Sequence, residues 1–173
     1  MHLSLRSFSQ NRAVERDVEW MQGQLDKLRN VMDKESFKVL EGFFTRYRAY
    51  QPHLLDCPQG TIHGDLFRDN VLFDESEISG VFDFYHACDA TFLFDLAVVA
   101  NDWALGAEGR HDQEKLACLC EGYQSQRPWT DKEKEMWPYC LELAALRFWL
   151  SRLVSYHLPS YQQTSLSGDT IKD

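Results

Sequence analysis

Apolar residues recur along the first third of the chain at helical intervals. Val14, Val18, Met21, Leu25 and Leu28 follow one another in alternating steps of four and three. That spacing puts them on one face and predicts an amphipathic helix from Asn11 to Arg29 whose stripe packs rather than catalyses. Asp33 stands where a second helix would be capped, with Phe37, Leu40, Phe44 and Tyr47 as its buried stripe and Pro52 as its stop. The two helices are expected to pair antiparallel. Between Thr61 and Phe84 the period shortens. Val71-Leu72-Phe73 and Val81-Phe82 flank a polar turn from Asp74 to Gly80, which predicts a short hairpin as the only β-structure. Phe92 to Leu105 reads as a buried helix, and a further helix from about His111 turns Leu116, Leu119, Cys120 and Tyr123 inward. Thr130 followed by Glu133 is a capping box. Pro138 is expected to break or kink the helix it opens, leaving a long helix from about Tyr139 to His157. The Ser-, Gln- and Thr-rich end from Pro159 reads as a loose tail, residues 159–173.

These elements describe a mainly α chain of 173 residues, and its 44% hydrophobic content is enough for one compact lobe over residues 1–158. A formal charge of -9 has the wrong sign for a nucleic-acid backbone or an anionic membrane surface, so neither is expected as a partner. Cys57, Cys88, Cys118, Cys120 and Cys140 are odd in number and lack C-x-x-C spacing. That favours reduced thiols in a cytoplasmic protein over a disulfide framework or a zinc site. The first ten residues show no leader pattern, and the most apolar late stretch is interrupted by Glu142 and Arg147.

The chemistry concentrates in His63-Gly64-Asp65-Leu66-Phe67-Arg68-Asp69-Asn70, with Asp83 thirteen residues after Asn70 in Val81-Phe82-Asp83-Phe84-Tyr85. An acid, an amide five residues on, and a second acid across a hairpin are the parts a kinase needs. One carboxylate orients and deprotonates the attacking hydroxyl, while an amide oxygen and another carboxylate hold magnesium on the nucleotide phosphates. Magnesium prefers oxygen ligands, which points to Asn70 and Asp83 and away from the cysteines.

This segment resembles the catalytic loop and metal motif of the protein-kinase-like superfamily, in the His-Gly-Asp variant of aminoglycoside phosphotransferases and choline kinases. The resemblance implies that Asp65 is the catalytic base and that Asn70 and Asp83 hold magnesium and, with it, ATP. It further implies that His63 buttresses the loop and that Asp95, in Phe94-Asp95-Leu96-Ala97, braces the loop backbone. Tyr85 stands where protein kinases carry glycine, which favours small-molecule acceptors. A wider match resembles the homoserine kinases of this superfamily and covers about residues 61–157. It comprises Leu66 to Asp74, Ser79 to Tyr85, Phe94 to Val98 with Asn101-Asp102-Trp103, and Ala145 to Leu153.

The implied reaction is transfer of the ATP γ-phosphoryl group to the side-chain hydroxyl of L-homoserine, on the way to threonine. The implied fold is the carboxyl-terminal lobe of an α+β kinase, a helical bundle whose hairpin carries the catalytic and metal loops. The amino-terminal ATP-binding lobe of that family is not found in this sequence. The chain alone is therefore expected to lack appreciable activity, and the surface left by that lobe is expected to favour self-association. Two other readings remain: an aminoglycoside- or choline-type kinase, and a non-catalytic binding module that keeps the fold.

An amino-acid acceptor presents an ammonium and a carboxylate, so its pocket should offer an acid and an arginine fork. Asp102 is the candidate for the ammonium, Arg147 for the carboxylate, and Arg68 is a second cation beside the loop; a helix-end role for Asp102 and a structural ion pair for Arg147 are the plainer alternatives. Trp103 and Trp149 are read as pocket walls or core. Asp89 is read as charge near the metals or as a helix cap before Ala90.

Overall fold

The computed structural model describes residues 1–5, 8 and 12–158; the tail expected from Pro159 lies outside the described residues. The chain is mainly helical, with two small antiparallel strand pairs. In order, the elements are α1 (Val18–Leu28), α2 (Lys34–Leu55), β1 (Gln59–Ile62), β2 (Val71–Asp74), β3 (Glu77–Val81), β4 (Cys88–Thr91), α3 (Phe92–Trp103), α4 (Gln113–Gln126) and α5 (Asp131–His157). It divides into two compact units. One comprises Met1–Glu15 and Ala49–Ala145; the other comprises Arg16–Arg48 and the residues from Leu146 onward. Among the described residues no helix is long and apolar enough to cross a membrane, and no disulfide joins the five cysteines.

In the second unit the apolar stripes read from the sequence are buried: Met21, Leu25 and Leu28 on α1, and Phe37, Leu40, Phe44 and Tyr47 on α2. The end of α1 lies along the start of α2, where Arg29 pairs with Glu41 at 3.0 Å and covers the Phe37 ring. The first helix starts later than its periodicity suggests, at Val18 rather than Asn11. Asp17 is extended and accepts from the Trp20 N–H, which caps the helix there. Farther upstream, in the first unit, both backbone groups of Arg12 are bonded to Asp89 in β4, the carbonyl at 2.8 Å and the amide at 3.0 Å. Backbone committed to a strand is not available to a helix. Asp33 caps α2 as expected, bonding the Ser36 N–H at 2.9 Å, and that bond holds its carboxyl below the usual aspartate range.

The stop expected at Pro52 and the break expected at Pro138 are overturned. Pro52 lies inside α2, which continues to Leu55, and Pro138 lies inside a single α5. Each proline removes one helical hydrogen bond, but the carbonyls four residues earlier belong to Arg48 and Lys134, and these two residues and both prolines face solvent. Water can serve carbonyls so placed. Buried Leu54 and Cys57 beyond the first proline, and Cys140 and Leu143 beyond the second, keep the chain on the helical path.

The first unit holds the unexpected sheet. β2 and β3 form the predicted hairpin around a two-residue turn, Glu75 and Ser76, with an irregularity between Leu72 and Phe73. A second pair, β1 with β4, joins Gln59 to Thr91 and Ile62 to Cys88. It corrects the expectation of a single hairpin and also makes Asp89 a strand residue; Thr91 is the N-cap of α3. Gly60 in β1 lets the sheet close on α3, because a Cβ there would stand 2.6 Å from the Phe92 ring. α3 is buried along Phe92 to Val98. α4 turns Leu116, Leu119, Cys120 and Tyr123 inward as read, but only to half burial.

The capping box forms as expected: the Glu133 N–H reaches Thr130 Oγ1 at 3.2 Å, and the Glu133 carboxylate takes the Thr130 N–H at 3.0 Å. Glu133 is fully buried because it also receives both terminal nitrogens of Arg127. Burial opposes the Arg127 charge, but the bonds to Glu133 and Tyr123 outweigh it and shift its pKa upward. Glu133→Ala would leave that guanidinium buried without its acid and is expected to cost about 3–5 kcal/mol of stability. Urea denaturation followed by circular dichroism measures it, and a change within error of zero would show the pair to be dispensable.

Candidate active site

The segment expected from the sequence to carry the chemistry begins where β1 ends. Ile62 is buried and His63 is entirely inaccessible. Gly64 then turns the chain with φ +78°, a conformation that strains other residues, and a Cβ there would sit 2.5 Å from the His86 carbonyl oxygen. Only glycine fits between strand and loop at this point, and the turn brings Asp65 back to a half-exposed position.

Asp95 holds the turn from behind. It is 1% exposed on an otherwise apolar stretch of α3. Its Oδ2 accepts the His63 N–H at 2.8 Å, and its Oδ1 accepts the Gly64 N–H at 2.7 Å. A third contact comes from His2, whose Nε2 lies 3.0 Å from Oδ2. A carboxylate can only accept, so His2 Nε2 carries the proton. Its Nδ1 lies 2.8 Å from the Tyr123 hydroxyl, which itself accepts from Arg127 Nε at 2.9 Å. A run of bonds therefore extends from Arg127 through Tyr123 and His2 to Asp95 and the loop backbone. Burial raises the pKa of Tyr123, which keeps its hydroxyl a donor. The brace expected of Asp95 and the buttress expected of His63 thus have defined contacts, whereas His2, Tyr123 and Arg127 went unread. Their signal was indirect: an acid amid apolar helix residues must find buried donors, but nothing in the sequence says which.

The front of the loop is tied to the hairpin. His63 Nε2 bonds the Phe82 carbonyl at 2.9 Å, and its Nδ1 accepts the Asp65 N–H at 3.3 Å, so the two partners fix the imidazole tautomer. The Phe82 N–H bonds the Asn70 carbonyl at 3.2 Å. Phe82 is thereby joined to the loop through both its backbone groups, and Asp83 follows it directly. Asp83 is exposed and left-handed, φ 63° and ψ 54°, at the start of a short 3₁₀ turn over Phe84–His86. Asn70 gives its amide nitrogen to the Asp65 carbonyl at 2.8 Å. The amide oxygen is then the end that can face a cation. Among the described residues no group of three or more His, Cys, Asp or Glu could hold a metal by itself. Any ion here would rest on Asn70, Asp83 and ligand oxygens.

Arg68 and Asp102, proposed separately from the sequence, meet each other. Asp102 Oδ2 accepts the Arg68 backbone N–H at 2.8 Å and its Nε–H at 3.1 Å, while Oδ1 accepts from Nη2 at 3.1 Å. The hydrogen bonds that Arg68 donates to Asp102 raise the Arg68 pKa. Trp103 follows Asp102 and lies against Phe73 of the hairpin, 5.8 Å between ring centres. Arg147 and Trp149 belong to the other compact unit, where Trp149 meets Phe43 edge-on. A cavity of about 640 Å³ lined by His2, Leu66, Asp95 and Tyr123 lies on the brace side of the loop and includes neither Asp65 nor Asp83.

Comparison with known proteins places residues 2–129 in a match to the phosphotransferase enzyme family. Homoserine kinase of Methylobacillus flagellatus is 37% identical over 169 residues, covering 98% of this chain and 52% of the relative. That of Pseudomonas aeruginosa is 36% identical over 155 residues, covering 90% and 49%. That of a Janthinobacterium species is 48% identical over 101 residues, covering 58% and 31%. The chain spans about half the length of the first two relatives.

Asp95→Asn would turn an amide toward backbone donors that need an acceptor. It is expected to cost about 1–3 kcal/mol and to speed hydrogen exchange at the His63 and Gly64 amides well beyond that of the β1 amides. Unchanged exchange at those two amides would mean that the loop is held by something else.

Proposed function

Because the chain belongs to the phosphotransferase enzyme family, we propose that it supplies the catalytic loop for transfer of the ATP γ-phosphoryl group to the hydroxyl of a small molecule, with L-homoserine as the acceptor. The observation that carries this reading is the double tether of Phe82, which holds Asp83 beside Asn70 and the Asp65 loop. Asp65 is the group that orients the acceptor hydroxyl and takes its proton. Asn70, with its nitrogen occupied, and the exposed Asp83 are the residues that would hold magnesium, which when bound neutralises phosphate charge. His63 and Asp95 keep the loop in shape and touch no substrate.

The relatives named as homoserine kinases support the choice of acceptor. So does Arg68, the one cation in the 63–70 run, since homoserine brings a carboxylate and choline does not. The five cysteines without a disulfide fit a cytoplasmic setting for an ATP-dependent reaction.

The test is ADP release from magnesium-ATP with L-homoserine, choline or kanamycin, using this chain joined to an amino-terminal nucleotide-binding lobe of the family. Turnover with homoserine alone is the expected result. Turnover only with another acceptor would replace the substrate, and none with any of the three would leave a binding module. Asp65→Asn is expected to lower kcat by ~10²–10⁴-fold; a much smaller loss would favour alignment over proton removal.

A further inference from the structure

The acceptor assignment can be sharpened by the way Arg68 and Asp102 divide their hydrogen bonds, an inference that rests on the reading of an acceptor bearing a carboxylate. We propose that Arg68 binds that carboxylate through the outer edge of its guanidinium, and that Asp102 is the positioning residue that aims Arg68 rather than the counter-ion of the substrate's ammonium.

A guanidinium has five N–H groups in one plane. Asp102 takes Nε and one hydrogen of Nη2, both on the same edge, at 3.1 Å each. The hydrogens of Nη1 and the second of Nη2 form the other edge, and they have no protein partner among the described residues. The Arg68 side chain is 62% exposed, so this edge is open to a ligand. A planar fork of that kind accepts a carboxylate bidentately without releasing the first. Because Asp102 also bonds the Arg68 backbone N–H at 2.8 Å, the side chain is fastened at both root and head.

Asp102 itself is poorly placed to take an ammonium. A carboxylate offers about four lone-pair positions, and three are occupied by Arg68. Its side chain is only 19% exposed. The surroundings select in the same direction: Asp65 and Asp69 lie on the same loop, so a carboxylate entering here has Arg68 as its one cation in the 63–70 run. Arg68 opens the short turn that ends at Asn70, which bonds the Asp65 carbonyl. The fork is thereby anchored on the same short loop as Asp65, three residues along the chain, as an acceptor with a hydroxyl and a carboxylate would require.

The experiment follows, by NMR of the 173-residue chain during titration with two probes, the Arg68 Nε–H resonance and the side-chain amide resonances of Asn70 at the end of the same turn, which remain when Arg68 is replaced. One is 4-hydroxybutanoate, which has the hydroxyl and carboxylate but no ammonium; the other is 3-aminopropan-1-ol, which has the hydroxyl and ammonium but no carboxylate. A saturable shift is expected with the first and none with the second. Asp102→Asn should weaken 4-hydroxybutanoate by about fivefold or more although that probe has no ammonium, and Arg68→Lys should weaken it similarly by losing the fork. Arg68→Gln, at an exposed position that does not threaten folding, should abolish it. Absence of a saturable shift with 4-hydroxybutanoate in the unaltered chain overturns the proposal. So does an Asp102→Asn change that leaves 4-hydroxybutanoate alone and weakens only 3-aminopropan-1-ol. No nucleotide is involved, so the outcome is separate from the function itself. Carboxylate binding without homoserine phosphorylation rejects the reaction and keeps the clamp, whereas phosphorylation with a homoserine KM indifferent to Arg68→Gln does the reverse.

Discussion

A carboxylate buried in an apolar helix is tolerable only when strong donors meet it, and the donors that meet Asp95 include the backbone of the loop proposed to carry the chemistry. Two consecutive amides, those of His63 and Gly64, end on its two oxygens. The cost of burying the charge is thereby turned into a constraint on loop shape, since either amide would lose a charge-assisted bond by moving. His2 fills one further acceptor position and is held in turn by Tyr123. The loop conformation is therefore set from behind, by groups that lie apart from Asp65, Asn70 and Asp83 in the sequence.

What faces forward depends on that rear support. His63 can reach Phe82 only because its own backbone is fixed, and Phe82 delivers Asp83. The left-handed conformation at Asp83 is one that few non-glycine residues adopt, and it sits where the hairpin strand gives way to a short turn. Phosphoryl transfer in general relies mainly on positioning and charge, and backbone bonds that fix a loop bearing an acid, an amide and a second acid are the kind of support the proposed reaction would need. The Arg68–Asp102 pair adds an aimed cation at the edge of the same loop, in a chain whose formal charge is -9.

The helices, the hairpin and the capping box were legible in the sequence because each is written in local spacing, and the candidate run from His63 to Asn70 was legible as a pattern for the same reason. Thr130 and Glu133 lie one turn apart, and the stripes of α1 and α2 recur every three or four residues. The errors came where a distant partner overrides local preference. Arg12 is drawn to β4 rather than to a helix, two exposed prolines are carried through because buried residues lie beyond them, and β1 pairs with a strand that follows it by more than twenty residues. Strands of four residues such as Gln-Gly-Thr-Ile and Cys-Asp-Ala-Thr carry no alternation strong enough to announce themselves.

The sequence alone determined which side chains are the candidates for chemistry, because an acid, an amide and a second acid at fixed intervals are a chemical statement that needs no coordinates. Only the tertiary structure decided how those groups are held and which charges meet: that Asp95 answers to His2, that Arg68 takes Asp102 for itself, and that Arg147 belongs to a different compact unit. The physical reason is range. Spacing along the chain encodes what one element needs, whereas the partner of a buried charge is fixed by contacts between residues far apart in sequence, such as the 93 positions that separate His2 from Asp95.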